Sequence, residues 1–392
     1  MATTKTDLKL ALTSTKKSGT YEGLTREQLL EAYRIMYTSR RIDDREIMLK
    51  RQQKIFFQMS GAGHEAIGAA AGLTLKPGYD WFYPYYRDRA LCLALGAKPL
   101  EMFLQAVGAA EDPSSGGRQM PSHWGYRRLN VVTQSSPTGS QILQAVGCAE
   151  AGRYFAQHPK AAEVSERNNG EKSDYRQFKH VTFHGDEVTY VSLGDGTTSE
   201  GEFWEALNAV ALNKLPVIFC VQDNGYAISV PVEVQTAGGS ISRLVSGFPN
   251  FHFEEVDGTD PVASYGAFQR AAQYCREGHG PAFVHAHVIR PYSHSLSDDE
   301  RLYRPDTERE RDSARDPVSR TQMFLLREGI LDEKGINDLE KKVEEELQAV
   351  VDQALEALPP APESVMKYLC SPDIDPTSNL FDAQPLIGPD SP

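Results

Sequence analysis

Two short apolar runs, each ending in an acidic turn that carries glycine, lie one crossover apart in this chain and constrain its fold more than any other feature. Val188-Thr-Tyr-Val-Ser-Leu193 is β-branched and apolar and stops at Gly194-Asp195-Gly196, the pattern of a strand ending in a tight turn. Thr198 to Glu202 reads as a helix start, and Phe203, Leu207, Val210 and Ala211 follow at helical spacing until Pro216. A second run, Val217-Ile-Phe-Cys-Val221, ends in Gln222-Asp223-Asn224-Gly225-Tyr226. The pattern predicts a βαβ unit whose strands deliver polar groups to one carboxyl edge of a parallel sheet. Asp195 and Asn224 are 29 positions apart (224 − 195), about one crossover, so their oxygens are expected to meet. A carboxylate, an amide oxygen and a backbone carbonyl freed by a glycine turn suit a hard cation such as Mg2+, which usually shares its octahedral oxygens with phosphates.

Composition narrows the possible classes. At 392 residues and 40% hydrophobic, the chain can bury a large α/β core in one or two domains. No apolar run approaches the roughly 18 residues that span a bilayer. A formal charge of −13 argues against a nucleic-acid partner and demands local cations for any anionic cofactor. Cys92, Cys148, Cys220, Cys275 and Cys370 are scattered without a CxxC pair, which indicates neither a disulfide framework nor a zinc site and fits a reducing compartment. Met1 to Thr20 is rich in Thr, Ser and Lys but has no Arg and carries Asp7. That composition favours a disordered arm over residues 1–23 rather than a transit peptide, and so a bacterial cytoplasmic location over a mitochondrial matrix.

Elsewhere the chain gives weaker signals. Thr25 to Gln28 has the form of a capping box, with Leu29, Leu30, Tyr33, Met36 and Tyr37 at helical spacing behind it. Arg40 to Asp44 is charged, and either a solvated face or a partner contact explains it. His64-Glu65 lacks the second histidine of HExxH, since Gly68 stands there, so a structural role is expected. Arg87, after the aromatic cluster Trp81–Pro84 and beside Tyr85 and Tyr86, suits either a phosphate at a helix start or a surface pair with Asp88. Ser135 to Gln141 reads as an N-cap cluster for a helix over Ile142–Phe155. Pro159 to Glu187 is a polar excursion that suits a surface hairpin over a partner. After Pro231 a loop is expected, then a helix near Val262–Tyr274 and a buried strand over Pro281–Ile289. His285 and His287 on that strand are read as core or interface residues rather than ligands. His294 sits in a polar loop beyond it, where mobile catalytic groups are commonly placed. Leu339, Val343, Leu347, Val350, Val351 and Leu355 mark an amphipathic C-terminal helix.

Gly194-Asp195-Gly196 followed by Asp223-Asn224 resembles the GDG…NN motif of thiamine-diphosphate enzymes. With GRQMPSHWG (117–125), SSPTGSQILQAVG (135–147), SEGEFWEALN (199–208), NGYAIS (224–229) and SHSLSDD (293–299), the chain is similar to the alpha subunits of the decarboxylating component of branched-chain 2-oxo acid dehydrogenase complexes, from about Leu24 to Leu358. The resemblance implies an α/β parallel-sheet fold that binds thiamine diphosphate over residues 24–330, a C-terminal helix over 331–358 and a proline-rich tail or linker over 359–392. It implies Mg2+ on Asp195, Asn224 and the Tyr226 carbonyl, and diphosphate contacts from Tyr86 and Arg87. Further cofactor contacts are implied at Ser136, Thr138, Gly196, Thr197 and Gln222. His294 becomes the catalytic residue, and Ser295 matches a position phosphorylated in animal relatives. Ser135, Pro137, Ser140 and Gln141 match a monovalent-cation (K+) site. Thr138 replaces the usual apolar residue below the cofactor rings, and Gln222 stands where branched-chain members usually carry Arg.

The implied activity is oxidative decarboxylation of a 2-oxo acid, with acyl transfer to a lipoyl group of an acyltransferase core. In such enzymes a glutamate acting on the aminopyrimidine ring comes from a beta subunit, and no second cofactor-binding half is recognisable here. The expectation is therefore an assembly of two alpha and two beta chains, or a fused beta half. Pyruvate and acetoin are the alternative substrates. A nicotinamide-binding Rossmann oxidoreductase, whose third fingerprint glycine would fall on Ser199, and a non-catalytic scaffold subunit are the readings from other classes.

Overall fold

The computed structural model describes residues 21–158, 182–367 and Leu369. Its parallel sheet contains β1 (Trp81–Tyr83), β2 (Thr189–Gly194), β3 (Val217–Asp223), β6 (His252–Asp257) and β7 (Ala282–His287), while β4 (Tyr226–Ala227) and β5 (Val230–Pro231) form a small separate hairpin. The order across the five strands is β1-β2-β3-β7-β6. β2 and β3 are buried nearly throughout and mostly apolar, because both of their faces are covered. Tyr190, Ile218 and Cys220 join one core, and Val191, Leu193, Phe219 and Val221 join the other. Consecutive in sequence, β2 and β3 are also neighbours, with Gly194 opposite Gln222. Asp195 and Asn224 therefore leave the same edge side by side.

Twelve helices surround the sheet in the described residues: α1 (Arg26–Arg51), α2 (Glu65–Thr74), α3 (Arg89–Leu95), α4 (Pro99–Val107), α5 (Ser140–Gln157), α6 (Gly201–Asn213), α7 (Val232–Gln235), α8 (Ile241–Val245), α9 (Pro261–Arg276), α10 (Asp306–Ser313), α11 (Pro317–Arg327) and α12 (Glu333–Leu355). The predicted capping box starts α1: Thr25 accepts from the Gln28 N–H, and the Gln28 side chain accepts from the Thr25 N–H. Leu29, Tyr33 and Met36 are buried behind it. α12 turns Ile336, Val343, Leu347 and Val351 toward α1 and α4, so its amphipathic face is covered by its own chain.

Several expectations need correction. The aromatic cluster Trp81–Tyr83 forms an edge strand, and His252–Asp257 is the opposite edge strand where a loop was expected. Ordered structure begins inside the supposed 1–23 arm, because Tyr21 bridges to Leu24 and packs edge-on to Phe324 at 5.5 Å. The Ser135–Gln141 hydroxyls do not cap α5. Gly139 holds the N-cap position at φ 82°, and no side chain caps the helix. Arg40–Asp44 is not a solvated face: Arg40 pairs with Glu65 at 2.7 Å and Asp316 at 2.6 Å, and Asp43 is fully buried against Arg89. The hairpin proposed within 159–187 and the tail beyond Leu369 fall largely outside the described residues.

Candidate functional site

The site is assembled where β2 and β3 end. Beyond Gly194 a 3-10 turn over Asp195–Ser199 reverses the chain, and the Asp195 carbonyl accepts from Thr198 Oγ1 at 2.7 Å and Gln235 Nε2 at 2.8 Å. The turn demands glycine at 196, since a Cβ there would lie 2.7 Å from the Ala227 Cβ. Beyond β3, Gly225 at φ 82° folds the chain back so that Asn224 Oδ1 accepts from the Tyr226 N–H at 3.3 Å. The Asn224 backbone N–H in turn bonds the Asp195 carboxylate. The two turns are thus in contact through the Asn224 backbone.

Asp195 is 1% exposed, and its Oδ2 is buried without a hydrogen-bond partner. Burial first, then the neighbouring Asp223 charge, pushes its carboxyl up to about 7. A lone carboxylate in that position is unfavourable, and a cation would relieve it. A carboxylate oxygen beside an asparagine amide is donor chemistry of the hard-oxygen kind that a cation such as Mg2+ takes.

Facing this acid is an excess of positive charge. Arg87 is 3% exposed and donates to the Ser60 carbonyl, to His294 Nδ1 at 3.2 Å and to the His294 carbonyl at 3.4 Å. It therefore does not form the surface pair with Asp88. Asp88 instead accepts from Gln222 Nε2 at 2.6 Å, from the Tyr85 N–H and from Ser192. The Arg87 guanidinium lies 5.0 Å from the Tyr86 ring centre, and that ring meets His294 edge-on at 6.2 Å. Arg290 adds a second buried guanidinium whose Nε has no partner; burial and then Arg87 lower its pKa. Burial, Arg87 and Arg290 together push the His294 imidazole down to about 4.

His64, expected to be merely structural, faces this site. It precedes α2, and its Nδ1 lies 2.7 Å from Gln222 Oε1 and 3.1 Å from the Tyr85 hydroxyl. Its Nε2 is 3.4 Å from Asn224 Nδ2. Burial, with Arg87 and Arg290 nearby, drives it down to about 3, so it is neutral. Gly61-Ala-Gly63 precedes the helix, and a Cβ at Gly63 would strike the Ile289 carbonyl, so this turn lies against the chain just beyond β7. Gln222, in the place of a usual Arg, is fully buried between Asp88 and His64.

The 135–141 loop lies over the same edge, with Gly139 packed on Thr197 and Glu200. Ser136 Oγ is 3.0 Å from His123 Nε2, and Thr138 is exposed. Of the residues matched to a monovalent-cation site, Ser135 and Ser140 bring their hydroxyls to 2.6 Å. The Pro137 carbonyl accepts from the Ser140 N–H, and Gln141 Nε2 donates to the Ser192 carbonyl at 3.0 Å.

Comparison with known proteins gives a consistent picture. The family described as dehydrogenase E1 component matches residues 33–363. The 2-oxoisovalerate dehydrogenase subunit alpha of Bacillus subtilis is 35% identical over 88% of this chain and 96% of its own length. The mitochondrial 2-oxoisovalerate dehydrogenase subunit alpha of Mus musculus is 31% identical over 86% of this chain and 70% of its own. The pyruvate dehydrogenase E1 component subunit alpha of Mycoplasma genitalium is 30% identical over 88% of this chain and 85% of its own.

Proposed function

The chain belongs to the dehydrogenase E1 component family, alongside alpha subunits of 2-oxo acid dehydrogenases, and from that premise we propose that it binds thiamine diphosphate and Mg2+ and, with a beta subunit, decarboxylates a branched-chain 2-oxo acid. The acyl unit then passes to a lipoyl group of an acyltransferase core. The observation that carries this reading is Asp195 Oδ2, buried without a partner beside Asn224. Leaving such an oxygen unsatisfied costs about 1–3 kcal/mol, which a divalent cation held by Asp195, Asn224 and the Tyr226 carbonyl would offset.

Thiamine diphosphate, when bound, supplies the nucleophilic carbon and the electron sink through which CO2 leaves. The work of this chain is to bind and orient. Arg87, with Tyr86 beside it, would neutralise diphosphate oxygens that a partly dry site could not otherwise hold. Ser136, Thr138, Gly196, Thr197 and Gln222 would position the rest of the cofactor. Tied to Asp88 and His64, Gln222 brings no charge, so Arg87 and Arg290 carry the positive side. With Nδ1 of His294 engaged by Arg87, Nε2 is the ring nitrogen left to exchange a proton with the reacting group.

Calorimetry with thiamine diphosphate and Mg2+, on the chain alone and co-expressed with a beta chain, tests the reading. Magnesium-dependent binding that tightens with the partner is expected; full decarboxylation by the chain alone would overturn the need for one. Pyruvate is the second substrate reading, favoured by the Mycoplasma genitalium relative. A panel of 2-oxo acids with an artificial electron acceptor ranks the two.

A further inference from the structure

The opposite face of the same sheet edge holds a second set of donors. Side chains alternate along β3, so Gln222 points toward His64 while Asp223 follows Phe219 and Val221 onto the other face. There it meets β7, in register Val221 with His285 and Asp223 with His287. His285 Nε2 lies 3.0 Å and His287 Nδ1 3.9 Å from Asp223 Oδ2, and the two rings are 4.4 Å apart at their centres.

The nitrogens that do not face Asp223 are engaged behind. Ser242 Oγ is 2.6 Å from His285 Nδ1, and Glu255 Oε1, on β6, is 2.8 Å from His287 Nε2. Metal-bound histidines are oriented in this way, one nitrogen toward the ion and the other held by a hydroxyl, carbonyl or carboxylate that fixes the tautomer.

We propose that Asp223, His285 and His287 form a transition-metal site of the zinc class, separate from the Asp195–Asn224 site and on the other face of the sheet. The donor atoms all lie within 4.8 Å of one another, and neighbours on a tetrahedral zinc, at ligand distances of about 2.0–2.1 Å, stand roughly 3.3 Å apart. Small rotations of the rings bring them onto one ion. The His287 side chain is 43% exposed, which leaves an approach from solvent and a fourth position for water. Two imidazoles exclude Mg2+, which takes oxygen, and select zinc or its neighbours. As a plain hydrogen-bonded cluster the arrangement would give Asp223 Oδ2 to His285 and leave His287 Nδ1 facing it out of bonding range. The ion would tie the ends of β3 and β7 together directly behind Asn224.

The test is a calorimetric titration of zinc chloride into the tag-free full chain after chelator treatment. One zinc per chain is expected in the wild type. His287→Gln, at an exposed position, should weaken binding at least as much as the outer-shell variant Glu255→Gln, for which roughly a ten- to hundredfold loss is expected. His279→Gln, at an exposed histidine remote from the cluster, should bind as the wild type does. Cobalt substitution should give tetrahedral visible bands in the wild type that His287→Gln lacks, with circular dichroism showing that both are folded. Absence of stoichiometric zinc, or equal affinity in wild type and His287→Gln, overturns the proposal. So does displacement of zinc by millimolar Mg2+, which would put the zinc at Asp195 instead.

Discussion

Two regions of this molecule bury charge, and they treat it differently. Beneath α1, Arg89 meets Asp43 and Glu46, each at 2.6 Å, and Arg40 meets Glu65 and Asp316. At the sheet edge, Arg87 and Arg290 repel one another, and Asp195 Oδ2 is the one carboxylate oxygen among the described residues that is buried without a partner. Burial alone does not separate the regions, since it raises Glu46, Glu65 and Asp195 alike. Partners do. Under α1 the charges close on each other and make scaffold; at the edge they remain open, as the proposed cofactor site requires.

The largest effect should come from breaking the closed region. Arg89→Met leaves Asp43 and Glu46 buried without their cation, so a loss of about 3–5 kcal/mol in urea unfolding is expected, with cofactor affinity of the folded fraction unchanged. At the open edge the pattern reverses. Asp195→Asn should leave the thermal midpoint of the cofactor-free chain level or slightly raised, while magnesium-dependent binding of thiamine diphosphate weakens at least about a hundredfold, or roughly 2.7 kcal/mol. If Asp195→Asn destabilises the chain as Arg89→Met does, the edge is scaffold too. Arg87→Ala should be milder, with binding about tenfold weaker, or about 1.4 kcal/mol, by the same titration. Binding as tight as wild type would remove Arg87 from the site.

This contrast was only half visible in the sequence. The central strands announced themselves because a doubly covered strand carries a long apolar run, and the crossover length then put Asp195 and Asn224 at the same sheet edge. The edge strands did not. β1 is three residues long, and β6 carries Glu254 and Glu255 on a half-exposed edge, so neither gives a run that pattern reading can find. Arg40 and Asp43 looked solvated because their partners Glu65, Asp316 and Arg89 come from other segments that only the fold brings together. His64 was hidden for the same reason: its partners Gln222 and Asn224 are 158 and 160 positions away.

The smallest effect compares one group from each region, His294 and Glu65, which should respond to pH with opposite sign. The His294 imidazole has a folded pKa of about 4 against 6.5 for the free group. The unfolded chain takes up that proton near pH 6.5 and the folded chain does not until about 4, so this stability is intact above 6.5 and lost as pH falls through the window. Because the ring is partly solvent-screened, the difference should be on the order of 1 kcal/mol. Glu65 behaves in reverse. Its carboxyl is raised from 4.5 to about 7, chiefly by burial, so the folded chain keeps a proton that the unfolded chain has released, and stability is full below 4.5 and lost as pH rises toward 7. Thermal midpoints of wild type, His294→Asn and Glu65→Gln between pH 4.5 and 7 measure both slopes. His294→Asn should gain on wild type as the solution is acidified, and Glu65→Gln should gain as it is made neutral. Bound thiamine diphosphate places negative charge beside Arg87 and should shrink the His294 slope while leaving that of Glu65 untouched, since only the open region has an ion still to receive.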